Sequence, residues 1–369
     1  MRIQRIRDVG QLQTLAASWD CLAHGVPFRS WAWSQAWWRQ FSGGRELYCL
    51  AAFDAGDTLV GLLPLLRERS LAQGHVLRFM GNSRVAAAYP SLLTTPEHAL
   101  PVTLALAEFL CQAARGGDDR WDQWLIEGEN TTDRWLARLI AGLAEEGHGV
   151  TRKTIGGTWQ IPLATCWSEF AATLSANHRK QLRKADRRLR TLGDYSIRRT
   201  ESRTHLRQQF HQLLTLHSHR QTHRQGVDRF QSHVQEEFLR ETTEALWLVG
   251  QGTIFTLELA GQTLAADLVY FGGETAYAYL AGWNPTWARY SPGNLLQQAL
   301  LTQLMHDGYR TYDLLDSPAN YARHWRGRPR PALEIRVQAQ PKVGTPGISI
   351  PGEAMRAWLK TSITLNGMR

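Results

Sequence analysis

The 369-residue sequence predicts a mixed α/β protein built as two tandem units, each a mostly antiparallel central sheet flanked by helices. Three observations predict it. A short motif recurs, the elements that follow each copy come in the same order, and the chain is long enough for two domains at about 150 residues each.

The motif is Ala55-Gly56-Asp57-Thr58-Leu59-Val60-Gly61, which returns as Ala260-Gly261-Gln262-Thr263-Leu264-Ala265-Ala266. In both places a glycine-centred turn joins two apolar runs, 47–53 with 58–66 and 253–259 with 263–271, and each pair reads as a β-hairpin. The first hairpin is followed by a short strand (75–80), an apolar helix (99–114), a strand (121–127) and a helix (132–146). The second is followed by a strand (275–282), a helix (292–307), a strand (309–315) and a further helix. Leu295, Leu296, Ala299, Leu300 and Leu304 fall on one side of the 292–307 helix, the spacing of a helix packed on a sheet. The boundary is expected between Ile155 and Thr165, where Gly156-Gly157 interrupts the pattern. The expected division is therefore 1–160, 161–340 and a C-terminal loop with a short helix, 341–369, whose helix covers 353–363.

Composition narrows the function classes. At 43% apolar and 20% charged residues the chain is neither disordered, collagenous nor coiled-coil. Lys and Arg number 42 against 33 Asp and Glu, a formal charge of +9, and only five of the 42 are Lys. The excess is local: residues 177–199 hold nine Lys or Arg against Asp186 and Asp194. This segment opens the inserted helical region 175–244, and its cations suit an anionic partner such as tRNA, an acidic glycan or a membrane surface. Its first helix, 175–192, is largely polar, with Leu182, Ala185, Leu189 and Leu192 apolar, and ends before Gly193. A second, 202–222, carries Phe210, Leu213, Leu214 and Leu216. His211, His217, His219 and His223 lie there without an acidic or cysteine partner in register, so a surface helix is expected rather than a metal site. Cys21, Cys49, Cys111 and Cys166 are far apart and form no CxxC, so no zinc or disulfide framework is expected. The charged N-terminus is unlike a secretory signal and no apolar run reaches the length of a membrane span, so a cytoplasmic location is expected. The tryptophans at 31, 33, 37 and 38 read as core.

Chemistry is expected at the second copy. Ala276 to Trp283 is a strand, 284–290 a loop, and Ser291-Pro292-Gly293-Asn294-Leu295 a helix start, with Ser at the N-cap, Pro at N1 and a Gly that permits close backbone approach. First-turn amides at the positive end of a helix dipole suit an anion, with Arg289 and Arg310 as added cations. The first copy's helix starts near Thr95-Pro96-Glu97, where a carboxylate would compete with a phosphate, so that unit is expected to be structural.

These residues carry a resemblance. The order hairpin, strand, anion-accepting helix start, strand, helix resembles the Gcn5-related N-acetyltransferase (GNAT) fold. Over roughly 20–340 the chain resembles its double-domain, CelD-like branch of cellulose and exopolysaccharide biosynthesis, related to the Fem peptidoglycan aminoacyltransferases. The matching blocks are Pro27 to Ser30 with Trp33 to Phe41, Gly61 to Arg67, Leu77 to Gly81, Asn177 to Leu192, Ser291 to Leu296 and Gly308 to Leu315. The resemblance implies an N-acyltransferase using acetyl-CoA or another acyl-CoA, without metal, on an amine acceptor such as a cell-envelope or exopolysaccharide precursor. The alternatives it implies are a Fem-like transferase using aminoacyl-tRNA and a non-catalytic accessory of polysaccharide synthesis. It would place the CoA pyrophosphate on the amides of Gly293, Asn294 and Leu295 beside Arg289 and Ser291. An oxyanion-binding N–H would come from the strand between Leu280 and Trp283. Tyr321 would be the acid, and Asp316, Asp267 or His324 the base. Two departures from the family pattern stand out: Arg289 to Gly293 is one residue longer than the usual phosphate loop and has one glycine. In addition, Ser317-Pro318-Ala319-Asn320-Tyr321-Ala322 lacks the family's acidic pair and lysine.

Overall fold

The computed structural model describes residues 1–81, 89–130, 133–224 and 232–340. The expected C-terminal segment 341–369, with its 353–363 helix, and the side chain of His223 lie outside them. The chain groups into two compact units. One holds Met1–His24, Phe28–Gly157 and the described residues from Pro331; the other holds Gly25–Pro27 and Thr158–Arg330.

The first unit contains β1 (Arg2–Ile6), α1 (Val9–Thr14), α2 (Ala16–Leu22), α3 (Trp31–Phe41), β2 (Arg45–Leu47), β3 (Cys49–Phe53), β4 (Leu59–Leu63), β5 (Leu65–Ser70), β6 (Gly74–Phe79), β7 (Leu93–Thr94), α4 (Ala99–Ala114), β8 (Gln123–Asn130), α5 (Arg134–Glu145) and the start of β9 (Gly149–Pro162). The expected hairpin is present, because β3 and β4 pair antiparallel through Leu50/Leu63 and Ala52/Gly61. The single strand expected at 58–66 is not. Pro64 offers no amide to a ladder and interrupts it. β4 pairs with β3 and β7 in one sheet, and β5 pairs with β2 and β6 in another. β6 then runs parallel to β8 over Val76–Arg78. The core lies between these strands and α4 and α5, with Leu77, Val102, Leu106, Leu110, Trp124 and Leu139 buried. Trp31, Trp33 and Trp37 of α3 are buried, as the sequence indicates, and Trp38 is half-buried.

The segment through Gly156-Gly157 is not a loop. It continues β9, with Gly156 at φ +132°, a conformation open to glycine. The second unit then contains α6 (Trp167–Thr173), α7 (Ala176–Arg190), β10 (Tyr195–Arg199), α8 (Arg203–Arg224), α9 (His233–Leu248), β11 (Gly252–Leu259), β12 (Gln262–Gly272), β13 (Thr275–Trp283), a 3-10 turn at Pro285–Tyr290, α10 (Pro292–His306), β14 (Thr311–Asp313), α11 (Ala319–His324) and the start of β15 (Arg328–Gln338). β15 pairs with β8 from Ala332 onward, so its residues from Pro331 group with the first unit. β10 was not legible in the helical reading of 175–244; its residues are mostly exposed and lack the apolar alternation of a half-buried strand.

Within the second unit the strand order is β10-β11-β12-β13-β14-β9. Every pairing is antiparallel except β13 with β14. Each unit therefore shows the predicted fold class. One sheet face packs on α10, through Leu296, Leu300 and Leu304, and on α7, through Leu182, Ala185 and Leu189. The cationic helix is thus anchored in the core of this unit by its one apolar stripe, at about 1.5–3 kcal/mol for a fully buried leucine. α8 packs on β13, β12 and β11. Its backbone comes so close that a Cβ on Gly282 would lie 2.5 Å from the His217 amide nitrogen and 2.7 Å from the Leu216 carbonyl carbon. Only glycine fits there.

Candidate functional site

The site begins with how two neighbouring strands part. β13 and β14 pair only at Thr275/Thr311, Ala276/Tyr312 and Tyr277/Asp313. β14 ends there while β13 runs on to Trp283, so among the described residues no strand covers that edge of β13 beyond Tyr277. The reason lies in the turn after β14. Asp313 is fully buried, its Oδ1 accepts from the Leu315 amide at 2.8 Å, and Leu315 takes a left-handed φ of +50°. The chain therefore turns away three residues into the strand, where the sequence reading had expected it to continue to Leu315. Asp313 Oδ2 also accepts from Gln160 Nε2 at 2.8 Å, and Gln160 Oε1 accepts from Arg330 at 3.0 Å.

β13 carries a second irregularity. Leu280 pairs with Leu268 and Ala278 with Val269, which leaves Tyr279 as an extra residue in the ladder. Such a bulge bends the strand and re-aims the groups beside it. Beyond the bulge Ala281 faces Asp267 across the ladder. The Ala281 carbonyl accepts from Arg220 Nη1 at 3.1 Å and lies 3.0 Å from His217 Nδ1. His217 is therefore a buried residue holding β13, not one of the surface histidines expected there, whereas His211 and His219 are exposed.

Asp267 alternates along β12 with Ala265, Val269 and Phe271, all part of the core beneath α10, so its carboxyl is directed to that side. Burial pushes it up to about 7, and nearby Arg220 moderates the shift. Tyr312 stands close enough for the Asp267 carboxylate to raise its cost of ionisation, and burial holds the Tyr312 phenol well above its ordinary value. Gln297, a buried polar residue on the leucine-rich side of α10, stands beside Tyr312 and accepts at Oε1 from the Tyr321 hydroxyl at 3.1 Å. Asp267, Tyr312, Gln297 and Tyr321 thus form one polar group inside an apolar layer. Two of these, Asp267 and Tyr321, were expected from the sequence. Tyr312 and Gln297 were not; a glutamine at a position that the helix period assigns to the core was the available signal for the second.

The remaining expected residues fall elsewhere. Asp316 is exposed after β14. His324 stacks on His178 at 3.6 Å between ring centroids, and its carbonyl lies 3.0 Å from His178 Nδ1. Arg310 lies at the start of β14, its amide on the Glu274 carbonyl, at the opposite end of β13 from the start of α10. Along a strand of this length that is about 25 Å, so Arg310 does not join the helix start.

At the start of α10, Ser291 occupies the cap position with φ +52° and makes no side-chain cap bond. Its carbonyl accepts from both Asn294 (3.0 Å) and Leu295 (3.2 Å). Two of the three amides expected to receive a pyrophosphate are thereby engaged within the turn, and the Gly293 amide is the one left of the set. A Cβ on Gly293 would be 3.5 Å from the half-buried Trp283 ring, so the glycine keeps this surface low. Exposed Arg289 lies over the Tyr290 ring at 4.7 Å. Leu280 is buried on the bulged strand. Among the described residues no group of three His, Cys, Asp or Glu could hold a metal ion, and no helix is long and apolar enough to cross a membrane.

A sheet of this order, with a bulged strand parting from a short parallel neighbour above a capped helix, is the fold of the GNAT-type acyltransferases. Residues 176–323, from the first residue of α7 into α11, match the acetyltransferase (GNAT) domain family. The chain is similar in structure to FemX, with a TM-score of 0.63 at 11% identity over 92% of this chain and 98% of that one. It is also similar to L-PGS from Bacillus licheniformis, with a TM-score of 0.51 at 11% identity over 99% of each chain. A third similar structure is the C-terminal domain of a candidate lysylphosphatidylglycerol synthetase from Agrobacterium fabrum, with a TM-score of 0.52 at 12% identity, covering 94% of this chain and 97% of that one. No curated protein sequence matches the chain.

Proposed function

We propose that the protein is an N-acyltransferase whose second unit moves an acyl group from acyl-CoA to an amine, with Asp267 as base and Tyr321 as acid. The observation that carries this reading is the carboxyl of Asp267, raised to about 7 and set across the ladder from Ala281 where β13 is bulged and its edge uncovered. A base of that strength accepts a proton near neutral pH without being permanently charged. It takes the proton that the amine loses as nitrogen bonds to the thioester carbon. Backbone N–H groups of β13 between Leu280 and Trp283 stabilise the oxyanion, and the Tyr321 hydroxyl, held by Gln297, protonates the departing sulfur. Asp316 and His324 are the weaker bases: one is exposed, and the other is stacked on His178. The pyrophosphate would meet the Gly293 amide and Arg289, with Ser291, Asn294 and Leu295 shaping the turn. In this reading the first unit is structural and the acceptor is an amine-bearing precursor of the envelope or of an exopolysaccharide, as in the CelD-like branch.

The donor is the part most open to a rival. Because the Asn294 and Leu295 amides are already bonded to Ser291, the diphosphate cradle is smaller than expected, which favours aminoacyl-tRNA as the alternative donor on the same strand edge. Calorimetry with acetyl-CoA and longer acyl-CoAs, beside a salt series with bulk tRNA, separates the two. Heat with an acyl-CoA supports the proposal; silence with every acyl-CoA and salt-dependent tRNA binding replaces it with the alternative. In the acyl-CoA case Asp267→Asn is expected to lower kcat by about 10²–10⁴ while leaving acyl-CoA affinity unchanged.

A further inference from the structure

The two sides of α7 differ more than those of any other element of the second unit. His178, Leu182, Ala185 and Leu189 are buried, and the last three sit in the core beneath α10. Lys180, Arg183, Lys184, Arg187 and Arg188 are exposed. With 3.6 residues per turn these five fall within an arc of about 140°, centred opposite the buried stripe. Other cations of the region have acidic neighbours: Arg190 pairs with Asp186 at 3.0 Å and Arg198 with Glu258 at 3.1 Å. Among the described residues the five have no ion pair, so the arc is an uncompensated positive surface on a rigid, core-anchored helix.

We infer that this face of α7 docks on an anionic lipid bilayer. Cations on long flexible stems dominate the arc; exposed Asn177 is the one amide side chain within it, and no aromatic group is there to stack on a base. A nucleic-acid duplex holds its phosphates at fixed positions, so the five stems would have to match a preset spacing. Lipid headgroups move laterally and gather around every cation. The apolar stripe is already committed to the protein core, so the helix binds the surface without inserting. Leu192, just past the helix end, is an exposed large apolar side chain. α7 packs against both the Pro285–Tyr290 turn and α10 by the side away from the arc, so docking leaves those contacts in place. The inference does not depend on the identity of the acyl donor.

Flotation with phosphatidylcholine vesicles, with and without phosphatidylserine, tests it on the full chain with no acyl-CoA present. Binding is expected only with phosphatidylserine, falling steeply with salt. Each cation removed is expected to weaken binding about fivefold, so the triple variant Arg183→Gln, Arg187→Gln, Arg188→Gln loses about a hundredfold. Its thermal unfolding should match the parent because all three side chains are exposed. Lys153→Gln, an equally exposed cation on β9, should leave binding unchanged. Binding that ignores phosphatidylserine, a triple variant that still binds, or a Lys153→Gln loss as large per charge would overturn the inference. So would duplex RNA that binds more tightly than the vesicles and is lost in the triple variant.

Discussion

The parallel strand pairs β6/β8 and β13/β14 are built alike and equipped differently. Both pair over three residues, and in both the chain between the two strands holds a helix packed by evenly spaced leucines or valine. In the first unit the ladder between β5 and β6 runs without a bulge, whereas Tyr279 interrupts that between β12 and β13. By the repeat, Leu62 stands where Asp267 stands, and Pro64 where Val269 continues the strand. The buried polar residue of α4, Thr103, bonds within its own helix to the Ala99 carbonyl, while Gln297 reaches across to Tyr321. Glu97 lies in the turn before α4 rather than in its first turn, which corrects the expectation that a first-turn carboxylate would repel a phosphate there. What separates the copies is therefore an acid, a bulge and a cross-element hydrogen bond, all laid on the same frame.

Exchanging these parts tests the comparison. The largest effect is expected from Leu62→Asp, which places an acid in the first unit with no partner prepared for it. Leu62 is fully buried, and an uncompensated buried charge costs about 3–5 kcal/mol. Urea unfolding reads the loss directly, and a change below about 1 kcal/mol would mean that the first unit accommodates a buried acid without penalty.

Nearly as large is the pH signature of Asp267. Its folded pKa of about 7 lies above the unfolded value, so the native state prefers the protonated carboxyl. The cost of burying it is absent below about pH 4, grows as pH rises and is complete above 7, on the order of 4 kcal/mol. Asp267→Asn should accordingly be more stable than the parent at pH 8, with the gap closing toward pH 4. A gap that does not change with pH would remove Asp267 as a raised acid.

His178 runs the other way. Burial and the facing His324 lower it to about 4, so its contribution is whole above pH 6.5 and is lost as pH falls toward 4, on the order of 3 kcal/mol. In the first unit burial also lowers His148. His178→Gln should flatten the acid limb of the stability curve that remains, and an unchanged limb would assign that limb to His148. Smallest is Tyr321→Phe, which removes one hydrogen bond to Gln297 and should cost about 1 kcal/mol, seen as a small shift in the unfolding midpoint.

The repeat, the helices and the fold class were legible because glycine turns and leucine spacing are local signals. Gly252–Leu259 and Gln262–Gly272 fall within a residue or so of the expected strands, and Ala99–Ala114 on the expected helix. The Tyr279 bulge was not legible, since it is a mismatch between two strands and neither strand shows it alone. Asp313 reads in sequence like any strand acid. Its burial depends on Gln160, far away in the chain. Nor could Ser291 be distinguished from an ordinary cap, because its left-handed backbone is imposed by the turn before it.

The edge that the parting of β13 from β14 leaves open is main chain. Replacing side chains one at a time leaves its N–H groups in place, and a scan by alanine would pass over the group proposed to hold the oxyanion. Only a change to the peptide link itself, such as an ester in place of the amide between Leu280 and Trp283, would remove that donor and leave every side chain standing. By the same token, a sequence can drift far while this opening persists, and can take up a different acceptor by changing the few residues that face it.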